Sequence, residues 1–376
     1  MKLSHIFTGN FYPGKLFNIP DSPVNIMLDV TNFCNNKCIY CYNPDDKSYR
    51  KDKPNKEELL KIVSLIGQTG TKEILYLGGE PFASPIIKDL LETGKKYDIF
   101  QRAVSNGSFF KEVDYCQLLK EKGLQEVGIS FHSSEEKIHD KIAGRDGAFK
   151  DALTGLENCI NAGINTFVQY SPNTLNLKTD ILKIARNFGD RFGDAVKFYD
   201  INRLLPIGQG KNAKMLLLEG TQWYEFLVTA SSLFEFNLEV HAELTPFCWI
   251  NRMAQKQKTP EHVLQNIHRL NRGCFMWVAQ LPLDHRGRIK FCPTGQAVGP
   301  SILEVEWPIY WKTADFLNEY RTFKWNQNCI DFKNNTACDY FYKCLGGCKY
   351  SKGIHYDVDL YSMGFSPNLN GDSNHA

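Results

Sequence analysis

Through the first 200 residues, near-continuous apolar runs alternate with amphipathic helical stretches, and this alternation leaves the chain few possible architectures. The runs at 24–30, 73–77, 100–105, 126–131, 165–170 and 195–201 are rich in Val, Ile, Leu and Phe and short enough for buried strands. Between them, 55–68, 85–97, 111–122, 148–162 and 177–192 carry apolar residues at helical spacing. Gly70, Gly123 and Gly163 stand where three of these helices end. Six strands joined by crossover helices predict an α/β domain, a partial (β/α)6 barrel of TIM type or an open parallel sheet. In either, ligands gather at the carboxyl ends of the strands.

The pattern continues as one more helix at 221–236 and changes after residue 245, where the chain becomes rich in aromatics and cysteine. Short strands are expected there at 275–283 and 288–291. The expected organisation is an N-terminal extension (1–22), the partial barrel (23–240), a small Cys-rich C-terminal domain (241–363) and a polar tail (364–376). No stretch reaches the roughly 20 apolar residues of a membrane helix. The first 20 residues lack a basic region followed by an apolar run, so no signal peptide is read there. A net charge of +2, with basic residues dispersed among acidic ones, gives no electrostatic footprint for nucleic acid or anionic lipid. A cytoplasmic location is expected.

Twelve cysteines are many for a chain with no sign of export, which disfavours disulfides. Cys116 and Cys159 fall in helical segments and read as buried thiols. The others cluster in two stretches rich in Gly, Asn and aromatics, where metal binding explains them better. The first cluster is Cys34, Cys38 and Cys41, spaced C-x3-C-x2-C directly after the first strand. Three thiolates underfill a tetrahedral zinc site, but they can hold three irons of a [4Fe–4S] cube and leave the fourth open. A zinc site completed from elsewhere, or chance spacing, is the alternative.

Polar residues close the next strands. Gly78, Gly79, Glu80 and Pro81 follow the second, Ser105, Asn106 and Gly107 the third, and Ser130 and His132 the fourth. Gln169 and Asn173 follow the fifth, and Leu205, Pro206, Ile207 and Gly208 the sixth. Two glycines allow close backbone approach, and nearby carbonyls or Glu80 can accept from an ammonium. Each reads equally as an ordinary turn on its own; together they ring one end of the sheet.

Cys34, Cys38 and Cys41, with aromatic Tyr40 before the last, and the Gly78–Pro81 segment resemble the radical S-adenosylmethionine (SAM) enzymes over nearly the whole chain. The resemblance implies that the open iron takes the amino and carboxylate groups of SAM, and that one electron cleaves the sulfonium to a 5′-deoxyadenosyl radical. It also implies that Gly78, Gly79, Glu80 and Pro81 hold the SAM amino group and that Ser105, Asn106 and Ser130 make polar contacts. Gln169, Asn173 and Leu205 would lie on the adenine side, and Arg145 near the carboxylate, although a loop ion pair fits Arg145 as well. His132 reads as a ribose or substrate neighbour or an ordinary surface histidine. A flavodoxin- or ferredoxin-like protein would supply the electron.

The second cluster resembles the SPASM module, which carries auxiliary iron–sulfur clusters. Cys274, Gly287 and Cys292 match its C-x12-G-x4-C, followed by Cys329, Cys338, Cys344 and Cys348. Asn335 stands where a cysteine is usual, and no cysteine follows Cys348. By this resemblance Cys274, Cys292 and Cys348 hold one auxiliary cluster, with Cys248 a candidate fourth ligand. Cys329, Cys338 and Cys344 hold a second, with His355, Asp357 or Asp359 completing it; one cluster, or a zinc knuckle, is the alternative. The module implies oxidative crosslinking or dehydrogenation of a ribosomally made peptide. Dehydrogenation or rearrangement of a small molecule is the runner-up, and a non-enzymatic metal-binding module the bland alternative. Sulfatase maturation is disfavoured, since Pro293 replaces the acidic residue such maturases carry. Peptide epimerisation would need a thiol donor, for which Cys248 is the candidate. A first strand near residue 24 leaves no room for an N-terminal recognition domain of about 80 residues. A separate recognition protein or direct leader binding is therefore expected. No catalytic base stands out; the acidic residues near 200–203 and Glu243 sit by the right strand end only by inference.

Overall fold

The computed structural model describes residues 18–44, 46–177, 180–205, 207–218, 220–236, 238–242, 245–270, 276, 278–321, 330–331 and 336–337. All six apolar runs are strands: β1 (Asn25–Thr31), β2 (Glu73–Gly78), β3 (Phe100–Ser105), β4 (Glu126–Phe131), β5 (Asn165–Tyr170) and β6 (Val196–Ile201). They pair in parallel in chain order. The crossovers are helical: α1 (Lys47–Lys51) and α2 (Lys56–Gln68), α3 (Ile87–Lys96), α4 (Val113–Lys122), α5 (Glu136–Ala143) with α6 (Ala148–Asn161), and α7 (Asp180–Phe192).

Helix α2 shows why these stretches fold as they do. Asn55 caps its first turn by accepting from the Glu58 amide (3.2 Å), Glu57 and Glu58 suit the positive helix end, and Leu59, Ile62, Val63 and Ile66 form one buried stripe. That stripe joins the core with Ile26, Leu28, Ile74 and Tyr76 from the helix-facing side of the sheet. Cys116 on α4 and Cys159 on α6 are both buried there, their thiols hydrogen-bonded to each other.

The parallel sheet exceeds the six strands expected. After α8 (Gly220–Ser231), β7 (Glu239–Ala242) adds in parallel to β6. Its Glu-Val-His-Ala sequence has too few apolar residues to announce a strand; pairing with β6 makes it one. Helices α9 (Phe247–Lys256) and α10 (Glu261–Leu270) follow, and then β8 (Gln280–Leu283) returns to the far side of β1, again parallel. Strands β9 (Arg288–Lys290) and β10 (Ala297–Ser301) continue antiparallel. The expected strands of the Cys-rich part therefore extend the main sheet, whose order is β10-β9-β8-β1-β2-β3-β4-β5-β6-β7. Two short helices, α11 (Ile309–Thr313) and α12 (Asp315–Arg321), and a two-stranded ladder of β11 (Ile330–Asp331) and β12 (Thr336–Ala337) complete the described residues.

The face of the sheet away from the helices is filled at its lower end. Arg102 bridges Glu73 (3.4 Å) and Glu126 (2.9 Å) and lies 4.9 Å over the Phe167 ring, which stacks on Phe198 at 4.5 Å. At Gly128 a Cβ would come within 2.2 Å of Phe167, so the glycine makes room for the ring. Charge and aromatic bulk thus occupy the N-terminal ends of the strands and leave the carboxyl ends for chemistry.

Candidate iron–sulfur and SAM site

The segment from Thr31 to Asn43 leaves the carboxyl end of β1 and is tied down from four sides. On the β2 side, the Gly79 amide donates to Thr31 O (2.6 Å) and the Glu80 amide to Phe33 O (2.7 Å). This seam explains the glycine pair. Gly78 has φ +122°, and a Cβ on Gly79 would lie 2.1 Å from the Phe33 carbonyl oxygen. Gly78 O in turn accepts from Tyr42 Oη (3.2 Å) and Asn43 Nδ2 (3.0 Å).

On the β4 side, the amides of Lys37 and Ile39 donate to the last carbonyls of α5, Ala143 O and Ile142 O, at 3.0 Å each. Gly144, left-handed at φ +63°, caps α5 where a Cβ would meet Lys37 O at 2.3 Å. On the β6 side, the Gln209 amide donates to Cys41 O (2.9 Å), and Ile39, Tyr40 and Leu175 pack on Leu204, Ala213, Leu216 and Leu217. From β3, Asn106 Nδ2 reaches Asn35 Oδ1 (2.8 Å) and Cys34 Sγ (3.8 Å).

These anchors present three half-buried thiols at one end of the sheet. Burial, reinforced by nearby Glu80, pushes the Cys34 thiol up to about 12, and burial also raises Cys38 well above the ordinary thiol value. Thiolates here therefore need a metal to form. Among the described residues no three His, Cys, Asp or Glu side chains converge tightly enough for a single ion. Two donors nonetheless aim at Cys34, the Asn36 amide (3.4 Å) and Asn106 Nδ2, and His132 Nε2 lies 3.8 Å from Cys38. N–H groups directed at thiolate sulfur are the surroundings an iron–sulfur cluster uses, and the residues fit one.

The strand-end residues divide into two kinds. Glu80 is buried, and its carboxylate accepts from Ser105 Oγ (2.8 Å), the Phe82 amide (3.2 Å) and the Asn106 amide (2.8 Å). Burial raises it to about 7 despite those donors. Glu80 and Ser105 thus hold the β2 and β3 ends together. Arg145 also supports the loop, donating from Nε to Asn36 Oδ1 and from Nη1 to Asp151 Oδ2, both at 2.7 Å. His132 is buried between Tyr40, His139 and Cys38, not on the surface. Burial lowers it to about 4.

The second kind lines the inner face. Ser130, Gln169, Asp200 and His241 are register neighbours across β4 to β7, and Ser130 Oγ lies 3.5 Å from Gln169 Oε1. Burial raises the Asp200 carboxyl, opposed by His241, Arg102 and hydrogen bonds from Gln169 and Asn202. Buried Asn173 instead braces its own turn, its Oδ1 accepting the Leu175 amide. Leu205 stands in the turn that closes over Cys41, where Gly210 approaches its carbonyl oxygen.

Cys248 is half-buried in the first turn of α9, just beyond β7. Cys292 is half-buried after β9, its sulfur accepting from Thr294 Oγ1 at 3.3 Å. Lys290 Nζ joins that turn to β1, contacting both Pro293 O and the buried Asp29 carboxylate at 2.6 Å. Cys274, Cys329, Cys338, Cys344, Cys348, His355, Asp357, Asp359, Glu243 and Pro206 lie outside the described residues. Sequence reasoning missed α5, whose carbonyls anchor the cysteine loop, and the Asn36, Asn106 and His132 donors. The glycine and arginine at 144 and 145 were the available signal.

Residues 28–175, from β1 to just beyond β5, match the Radical SAM superfamily. The chain carries a radical SAM domain. It is 21% identical over 336 residues to the AdoMet-dependent heme synthase of Oleidesulfovibrio alaskensis, covering 86% of this chain and 82% of that protein. It is 27% identical over 216 residues to the Fe-coproporphyrin III synthase of Methanosarcina barkeri, covering 55% of this chain and 53% of the relative. In fold, the chain resembles Streptococcus suis SuiB bound to precursor peptide SuiA (TM-score 0.63, 13% identity, 90% of this chain and 75% of that one). It also resembles anSMEcpe with bound AdoMet and the Cp18Cys peptide (TM-score 0.62, 16% identity, 89% and 91%). The α/β architecture with its parallel sheet is that of these barrel-like neighbours. No helix among the described residues is long and apolar enough to cross a membrane.

Proposed function

We propose that the protein cleaves SAM reductively at a [4Fe–4S] cluster held by Cys34, Cys38 and Cys41 and oxidatively modifies a ribosomally made peptide. The observation that carries the first half is the anchored three-thiol loop at the carboxyl end of β1, with the N–H donors of Asn36 and Asn106 turned toward Cys34. Such a cluster supplies the electron that releases a 5′-deoxyadenosyl radical from SAM. The chain's own residues do the positioning: the Gly79–Phe33 seam sets the loop height, and Glu80 locks the β3 end beside it. The aromatic and charged plug around Arg102 keeps solvent from entering through the lower end of the sheet.

The peptide half is supported by the two neighbours that hold peptides, each spanning about nine-tenths of this chain. The sheet's order, with β7 and β10 at opposite ends, is compatible with a substrate entering along an open side. Cys292 and the other C-terminal cysteines would hold one or two auxiliary clusters able to take the electron left by bond formation. A second reading, a small-molecule substrate, is favoured by the curated relatives, since the heme synthase aligns over 86% of the chain.

Replacing Cys34, Cys38 and Cys41 by Ala should abolish 5′-deoxyadenosine formation by the anaerobically reconstituted protein with SAM and dithionite. Cleavage at the wild-type rate would refute the cluster assignment. Iron near twelve per chain would support two auxiliary clusters and near eight one, whereas near four would remove them. Mass spectrometry of candidate peptides and tetrapyrroles, looking for loss of two hydrogens, separates the substrate readings.

A further inference from the structure

We propose that His132 raises the reduction potential of the cluster at Cys34, Cys38 and Cys41 by donating its Nε2–H to the Cys38 sulfur, in a tautomer set by Tyr40. This rests on the reading that those thiols hold a cluster. Tyr40 and His132 meet at 2.7 Å through the phenol oxygen and Nδ1, and Nε2 lies 3.8 Å from Cys38 Sγ, within reach of an N–H···S bond. The phenol is also hydrogen-bonded to Ser171, just beyond β5. A serine hydroxyl that donates to the phenol oxygen leaves the phenol's single hydrogen for Nδ1, the arrangement the proposal assigns. A neutral imidazole that accepts at Nδ1 carries its hydrogen on Nε2, and a protonated one carries hydrogens on both. Either form presents N–H to Cys38. A ligating thiolate has no hydrogen of its own, so the opposite tautomer would set lone pair against lone pair.

The ring is held for this task. The His132 amide donates to His139 Nδ1 (3.1 Å), its carbonyl accepts from Asn176 Nδ2 (2.7 Å), and the Tyr40 ring meets it edge-on at 5.6 Å. Reduction adds negative charge that spreads onto the cysteine sulfurs, so a donor at sulfur is strengthened by reduction and favours the reduced state. The chain Ser171–Tyr40–His132–Cys38 therefore makes His132 a positioning residue for electron uptake.

The test is an EPR-monitored redox titration of the full chain, reconstituted without oxygen, following the signal that changes when SAM is added. In His132→Phe the reduced-to-oxidised ratio at a fixed potential should fall about tenfold, about 59 mV for one electron. His132→Gln, which keeps an N–H near the Nε2 position, should restore most of it, and Tyr40→Phe should shift the same way by less. Pulsed EPR of the wild type after exchange into D2O should show an exchangeable deuteron coupled to the cluster, which does not depend on any variant folding. An unchanged midpoint in a fully loaded His132→Phe, or no coupled deuteron in the wild type, overturns the proposal. A wild type with no SAM-responsive signal at all instead refutes the cluster itself.

Discussion

Gly79→Ala isolates the seam that sets the cysteine loop on the sheet. The added Cβ would sit 2.1 Å from Phe33 O, 2.4 Å from Phe33 C and 2.8 Å from Asn32 O. All three are backbone atoms, so no side-chain rotation relieves the clash. Reaching ordinary contact at 3.4 Å demands a movement of about 1.3 Å in the residue preceding Cys34. That movement breaks the Gly79–Thr31 and Glu80–Phe33 hydrogen bonds, of 2.6 and 2.7 Å. Two such bonds contribute about 1 kcal/mol each, and backbone overpacking adds about 1–3 kcal/mol, for an expected loss of about 3–5 kcal/mol. Urea unfolding under reducing, oxygen-free conditions measures the loss, and iron bound per chain after reconstitution reports on the loop. Gly189→Ala is the control: it lies within α7 with nothing inside 4 Å of its Cβ, and should stabilise by up to about 1 kcal/mol. A Gly79→Ala protein that loses under about 1 kcal/mol and loads iron like the wild type would refute the reasoning.

The Asp29–Lys290 pair is almost wholly buried, with side chains 3% and 4% exposed. Asp29→Asn should therefore cost about 3–5 kcal/mol in urea unfolding, because the lysine ammonium stays buried opposite a neutral group. Joint replacement by Leu at 29 and Met at 290 should recover nearly all of it, and equal losses in single and double variants would show that the charges are not coupled. Glu80 supplies a pH signature. Its folded value of about 7 lies above the ordinary 4.5, so the folded state binds the proton more tightly. Stability should rise as pH falls from about 7 to 4.5, by up to about 3 kcal/mol, and the penalty should be full above pH 7. Glu80→Gln should flatten that part of the profile, and an identical slope in both proteins would assign it to other groups.

Much of the scaffold was legible because its strands are buried on the helix side and its helices each bury one stripe. β3, β4 and β5 begin and end where the apolar runs do, and α2 starts at the cap Asn55 supplies. Strand β7 and helix α5 were not legible. β7 is four residues whose burial comes from pairing with β6, and α5 is eight residues with a short apolar face. The three thiols could be picked out by spacing. What surrounds them could not, since Asn106, His132 and Gln209 reach the loop across 72 to 168 residues of chain.

By itself the sequence determined the order of β1 to β6 and of most helices between them, and the residue types at the strand ends, because hydrophobic period and glycine placement act locally along the chain. Only the tertiary structure decided what those residues do. Glu80 and Ser105 are turned to each other, Arg145 to Asn36, and His132 to Tyr40 and Cys38. A hydrogen bond depends on distance and direction between groups that folding alone brings together, so their partners are written in the packing of β1 to β6 and in no single stretch of the chain.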